Sequence, residues 1–297
     1  MALTTDEIAN HPALHAVIRQ QSQMMLAQYE TGPRLASVFA TQQRWLMGHA
    51  ALALYFRWDR QDGRSGFNAA RFLDLIREHA IASRNTADAF LKEMLQYNFA
   101  RHVAGGSDRR TRHIEPAQMS LDMLIAWAAA HLQTLDALDE GKRLAGFVDG
   151  TVPIAALQPR IADRLFTSPE IRDPQRTFSL FTWLNNGGVV MDWLIAGIEP
   201  AAPEAERIPT GVLSVADMAK WLKLSRTHLA RKLREAETMG SIGWQGKRGN
   251  SVMWVSKEFR AEYARAQAVK LAIIDAAYED CVQSGVKSEK SPQKWSE

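Results

Sequence analysis

A single cysteine, Cys281, is the sharpest shortage in this sequence. One thiol cannot close an internal disulfide, and it excludes a zinc–cysteine cluster and Cys-x-x-Cys redox chemistry. Cys281 itself falls on an apolar seam, which suits a core thiol better than a redox sensor. Long hydrophobic runs are also missing: charges interrupt every apolar stretch well short of the ~20 residues a bilayer helix needs. No membrane partner is expected. Met1 to Asn10 is acidic and polar, without a basic segment leading into an apolar one, so a secretory signal is not expected either. No phosphate loop, dinucleotide fingerprint, Gly-x-Ser-x-Gly elbow or His-Glu-x-x-His helix occurs. His11 and His15 stand at i, i+4, but with no third ligand in view they read as surface histidines. An enzyme, a cofactor and a metal site are therefore not expected. With 46% hydrophobic and 23% charged residues the chain is not disordered as a whole. Its 297 residues suffice for two compact units.

What charge there is lies unevenly. The net +3 conceals two basic islands. From Pro209 to Ser256 eight Lys and Arg stand against three acids, and from Arg101 to His113 four arginines stand against Asp108. Ile114 to Ile208, between them, holds seven basic and thirteen acidic residues. Two basic islands around an acidic middle suggest two sites for a polyanion.

Helical periodicity dominates the pattern. One helix is predicted over Asp6 to Tyr29 and a second over about Thr41 to Trp58. Asn68 should cap a third, with Ala69, Phe72, Leu73, Ile76 and Ala80 on one face, and Ser83 a fourth running to about Tyr97. Two strand-like pieces follow, Phe99 to Val103 and Thr111 to Glu115, around a Gly105-Gly106 tip. Pro116 suits the opening of another helix, and Leu121 to Leu138 is apolar on nearly all sides. Helices are expected near Pro153–Leu165, Phe178–Leu184 and Val189–Ile198. Glu199 to Pro209, with three prolines and three glutamates, reads as a linker. Beyond it Ser214 and Asp217 have capping-box spacing, and Ser225 should cap a helix to about Met239. A hairpin is expected from Ser241 to Gln245 and Ser251 to Val255, then a long helix from Lys257 to about Cys281. The tail from Ser284 is polar and expected to be disordered.

Sliding the chain on itself by 142 positions superposes Ser83-Arg84 on Ser225-Arg226. It also puts Ala87, Leu91 and Met94 on Leu229, Leu233 and Ala236, and the tip near Gly105 on Lys247. One offset satisfying a cap, an apolar face and a hairpin tip suggests an internal duplication. The order helix, turn, helix, basic hairpin is that of a winged helix-turn-helix. The fold expected is mainly α with small β-hairpin wings, a tandem winged helix-turn-helix pseudo-dimer. Its parts would be a first unit over 1–140, a helical connector over 141–208, a second unit over 209–283 and the tail 284–297.

In the second copy Leu229, Leu233 and Ala236 should face the core and Thr227, Arg231, Arg234 and Thr238 the solvent, where a recognition helix meets the major groove. Ser225, Arg226 and His228 open the same helix. Lys220 and Lys223 are placed for phosphates, and Lys247 and Arg248 for the backbone or a minor groove. The blander reading is a charged, solvated helix. The first copy is weaker: Asn85, Ala89, Lys92 and Gln96 face outward, and its basic side chains sit in the hairpin at Arg109, Arg110 and Arg112. Phosphate and minor-groove contacts are expected from it, and an imperfect palindrome as the preferred site.

The run Ser107-Asp108-Arg109-Arg110-Thr111-Arg112-His113-Ile114 resembles the Asp-Arg-Arg wing signature of the multiple-antibiotic-resistance regulator (MarR) family. Ser83-Arg84-Asn85-Thr86 resembles the start of that family's recognition helix. The resemblance implies two winged lobes on opposite sides of a two-fold axis, a role in transcription and relief by small aromatic ligands. It places the wing arginine on Arg109 or Arg110 and recognition on Ser83 to Lys92. Family members are normally about half this length and dimerise, and the second copy carries Gly246-Lys247-Arg248-Gly249 in place of the signature. A fused pseudo-dimer, monomeric or a homodimer of the chain, is the simplest interpretation.

The function expected is a sequence-specific, double-stranded-DNA-binding transcriptional regulator of the bacterial cytoplasm, on the nucleoid. A replication or partition initiator and a winged protein-interaction module are the alternatives. Trp127, Phe178, Phe181, Trp183 and Trp193 form an aromatic-rich middle; such a set is usually core, but it could line a pocket for a small aromatic effector.

Overall fold

The computed structural model describes residues 1–33, 39, 41–59, 61–62, 65–103, 112–174, 176–184, 186–198, 204–249 and 251–285. They are mainly helical, with two small antiparallel sheets. The chain opens with α1 (Thr5–Ala9) and α2 (Leu14–Thr31), where the sequence suggested one helix. Pro12 is the cause: it disfavours helical backbone at His11 and has no N–H to give.

Thr41, Asn68 and Ser83 each accept a backbone N–H and cap α3 (Gln42–Phe56), α4 (Ala69–Glu78) and α5 (Arg84–Gln96). β1 (Ala100–His102) then pairs with β2 (Ile114–Pro116), Ala100 opposite Pro116. Pro116 closes this strand instead of opening the next helix, α6, which spans Gln118–Asp139. Burial on α6 is one-sided: Leu124, Ala128, Leu132 and Leu135 are buried, whereas Met119 and Ile125 are exposed.

The middle holds α7 (Arg143–Val148), α8 (Ile154–Thr167), α9 (Pro169–Arg172), α10 (Arg176–Thr182) and α11 (Gly187–Ala196). Of the expected linker, 199–203 lies outside the described residues, and its end is a strand, β3 (Arg207–Pro209). α12 (Val215–Trp221), α13 (Arg226–Thr238), β4 (Ile242–Trp244), β5 (Met253–Ser256) and α14 (Lys257–Gln283) complete the chain. The second sheet has the order β3-β5-β4, so β3 is an edge, where Pro209 costs no ladder bond. Of the tail, Ser284 and Gly285 alone are described.

The segments around α5 and α13 share their backbone geometry. Both helices have thirteen residues and begin 142 positions apart, at Arg84 and Arg226, each after a serine; Ser83 caps its helix, whereas Ser225, expected to do the same, makes no side-chain hydrogen bond there. α5 ends with Asn98 at φ +56°, its N–H donating to Leu95 O and that of Phe99 to Met94 O. α13 ends with Gly240 at φ +75°, its N–H donating to Glu237 O and that of Ser241 to Ala236 O. These are one Schellman closure made twice, again 142 positions apart. β1 and β4 start at the same offset, at Ala100 and Ile242. The return strands differ: Ile114 N–H donates to Phe67 O, and Met253 N–H donates to Val212 O. That spacing, 139 positions, makes the second hairpin three residues shorter.

α14 runs through the molecule, packing on α1, α2, α6, α8 and α10. Phe259, Tyr263, Ile274, Ala277 and Cys281 on its seam are buried, while Ala266 and Ile273 are half-buried. Its Asp275, fully buried, accepts from Arg143 Nε at 2.6 Å and from Leu3 N–H at 2.7 Å, so one carboxylate ties α7 and the N-terminus to α14. A single hydrophobic core joins all these elements.

Candidate nucleic-acid interface

The α12–α13 turn sets the geometry of the basic face. Lys223 stands at φ +54°, and Leu224 N–H donates back to Ala219 O, closing α12 so that α13 leaves at an angle. Leu229, Leu233 and Ala236 then point into the core, each fully buried. Helical spacing turns Thr227, Arg231, Arg234 and Thr238 outward, and all four are exposed, as are Ser225, Arg226 and His228. Among the described residues, Arg226, Arg231, Arg234, Lys220, Lys223 and Lys247 make no ion pair. Lys232 is the exception on this helix: its Nζ lies 2.8 Å from Glu235 Oε2 and is spent locally.

The β4–β5 hairpin is fastened to α13. Arg248 was expected at a free tip, but it folds back. Its Nε donates to Glu237 Oε1 at 2.9 Å, and its Nη2 donates to Ala230 O at 3.4 Å. Trp244 Nε1 donates to the same Glu237 oxygen at 2.8 Å. Within the turn Ser251 Oγ accepts from Gly246 N–H at 3.0 Å and donates to Lys247 O at 3.0 Å. Gly249 at φ +76° lets the chain turn there. Lys247 alone of the pair is exposed and uncommitted among the described residues. On the open side of the sheet the Arg207 guanidinium lies 4.4 Å from the Trp254 ring, and Trp254 covers Gly243.

The first copy is poorer in free charge. Ser83, Arg84, Asn85, Thr86, Ala89, Lys92 and Gln96 are exposed on α5. Lys92 is drawn to Asp88 at 2.6 Å, and Arg101 on β1 pairs with Glu115 at 2.7 Å across the hairpin. Arg112 is exposed; Arg109 and Arg110 lie outside the described residues.

The aromatic middle separates. Trp127 and Phe178 line a partly open pocket of about 360 Å³. Phe181 is instead core, 6.3 Å from the Phe259 ring. Trp193 packs edge-on to Trp221 at 4.3 Å, and Trp183 is 62% exposed. Those three are not part of the cavity lining. Sequence reasoning missed Asp192, Lys270 and His49, which do line it.

No family model matches the chain, nor does any curated protein or solved structure.

Proposed function

We infer that the protein is a sequence-specific, double-stranded-DNA-binding transcriptional regulator whose two winged helix-turn-helix units belong to one chain. One observation carries this reading: α13 exposes Arg226 in its first turn and Arg231 and Arg234 on its outward face, none of them in an ion pair among the described residues. Glu235 feels the charge of Arg231 but is already paired with Lys232, so the helix surface keeps an excess of positive charge that attracts anions. A guanidinium also matches phosphate oxygens and guanine edges bidentately. Lys220 and Lys223 at the end of the preceding helix and Lys247 on the hairpin extend the positive surface on both flanks. The α5 unit, with a shared backbone plan and fewer free cations, is assigned phosphate contacts and weaker base reading. The likeness to the MarR family enters as an expectation of the same kind and adds no residue to this face.

Electrophoretic shift of a random duplex at 50 and 200 mM salt tests the reading. Affinity should fall by orders of magnitude across that range, because each phosphate contact releases condensed counterions. Salt-independent or absent binding would transfer these helices to a protein partner.

A further inference from the structure

The pocket between α2, α3, α6, α11 and α14 is mostly apolar and aromatic, yet charged side chains line it: Glu170, which Arg265 pairs at 3.7 Å, and an opposite pair without such a partner. Trp45, Trp127, Phe90, Met94 and Phe178 supply the apolar wall. Lys270 from α14 and Asp192 from α11 also line it. They feel each other's charge without forming an ion pair. Asp192 Oδ1 is already taken: it accepts from Tyr263 Oη at 2.5 Å and from Ser22 Oγ at 3.1 Å. Its Oδ2 and the Lys270 ammonium have no hydrogen-bond partner among the described residues. Both residues keep some accessible surface because they border the cavity.

His49 adds a third directed group. Gln158 Nε2 lies 2.9 Å from His49 Nδ1 and 3.4 Å from His49 O, which orients the amide as donor to both. Nδ1 therefore accepts, and the ring's proton sits on Nε2. Burial holds His49 neutral, its pKa pushed down to about 3. The ring stacks edge-on with Trp45 and Trp127, at 4.7 and 5.1 Å. The lining thus offers an ammonium, an imidazole N–H and a carboxylate oxygen within a surface that is otherwise mostly apolar.

Unpaired charges facing an apolar cavity are costly, and a ligand of complementary poles removes the cost. A plain organic acid would pair with Lys270 but bring a second negative charge beside Asp192. An amine would do the reverse. A neutral zwitterion satisfies both at once, and the volume is within the roughly 300–1,000 Å³ of small-molecule pockets. We propose that this cavity is a binding site for an aromatic α-amino acid. Its carboxylate is held by Lys270 and His49 Nε2–H, its ammonium by Asp192 Oδ2, and its ring by the Trp45–Trp127 wall. The assignment is independent of the DNA reading.

Calorimetry on the full chain tests it with four probes: L-phenylalanine, L-tryptophan, 3-phenylpropanoate and 2-phenylethylamine. One of the two amino acids should bind at least tenfold tighter than either single-pole probe. Lys270→Met should abolish that binding. Asp192→Asn should erase the preference for the ammonium, so that 3-phenylpropanoate binds as well as phenylalanine. No heat with any probe, equal binding of acid and amino acid to the unmodified protein, or an unchanged affinity in Lys270→Met would each overturn the proposal. The comparison of probes on the unmodified protein stands even if a variant does not fold.

Discussion

Arg248 donates its Nε–H to Glu237 Oε1 at 2.9 Å, the oxygen that also receives the Trp244 indole N–H. The pair fixes the hairpin against α13 and leaves Lys247 as the cation that reaches outward. The two neighbours should therefore respond differently. Lys247→Ala should weaken binding alike on every duplex and reduce the salt slope by about 1. Arg248→Ala should lower affinity by loosening the hairpin, at a stability cost of no more than ~1 kcal/mol, with the slope nearly unchanged. A salt titration of both variants decides it. Loss of a full unit of slope in Arg248→Ala would mean that this guanidinium contacts phosphate itself.

Arg231 lies midway along the exposed face of α13, between Thr227 and Arg234. Arg231→Ala should cost on the order of 1–3 kcal/mol at one base position and little elsewhere. Selection of bound duplexes from a random pool, run on both proteins, measures it. A uniform loss at all positions would make Arg231 a phosphate contact.

Lys223 occupies a left-handed position, φ +54°, where helix ends ordinarily place glycine. Its Cβ opposes folding there, and its ammonium flanks the proposed interface. Lys223→Gly should raise stability by about 0.5–1 kcal/mol in urea unfolding while weakening DNA binding. Lys223→Ala should weaken binding without the gain. If glycine left affinity intact, the lysine would be a tolerated strain with no contact to DNA.

Legibility followed the length of the repeating signal. Ser83, Asn68 and the face Leu229–Leu233–Ala236 were readable because helices of ten to thirteen residues repeat their period, and the first two begin at a side-chain acceptor. The 142-residue offset was readable for the same reason. β3 was not: Arg207-Ile208-Pro209 is three residues inside a Pro- and Glu-rich run, and long-range pairing with β5 makes it a strand. α7, six residues long, has too few turns to display a period. Arg248 misled because its sequence neighbourhood is a glycine-flanked basic tip, whereas its partner Glu237 is eleven residues away. Lys270 and Asp192 were the hardest. Each is a single charge in an otherwise apolar turn, the signature of a solvated stripe, and only the packing of distant helices around them forms the pocket they line.

The carboxylate of Asp275 is the most buried ionic partner described, bound by the buried Arg143, which also reaches Asp139 at 2.7 Å and Asp136 at 3.3 Å. Asp275→Ala leaves that guanidinium without its interior partner and should cost roughly 3–5 kcal/mol in urea unfolding. Adding Arg143→Met should recover part of the loss, since the interior guanidinium is then gone and the carboxylates left behind, Asp136 and Asp139, keep some contact with solvent. A double variant as unstable as the sum of the two singles would show that the residues act independently.

Lys270 predicts a stability gain from deleting a charge. Burial pushes its pKa from 10.5 down to about 8, partly opposed by Asp192. Between those values the unfolded chain holds a proton that the folded chain has lost, so stability rises with pH. The contribution is complete above about 10.5 and is lost as pH falls through about 8, leaving the folded protein penalised at neutrality. Lys270→Met should therefore be more stable at pH 7, on the order of 1–3 kcal/mol, and the advantage should shrink toward pH 10.5. His49 contributes a separate acid limb, since its stability is complete above 6.5 and lost as pH falls toward about 3; Lys270→Met leaves that limb in place. Unfolding curves at pH 5, 7, 9 and 10.5 separate the two limbs. A destabilised Lys270→Met at pH 7 would mean that the ammonium is well solvated in the cavity, and a residue kept at a cost to stability would no longer be the explanation for its presence there.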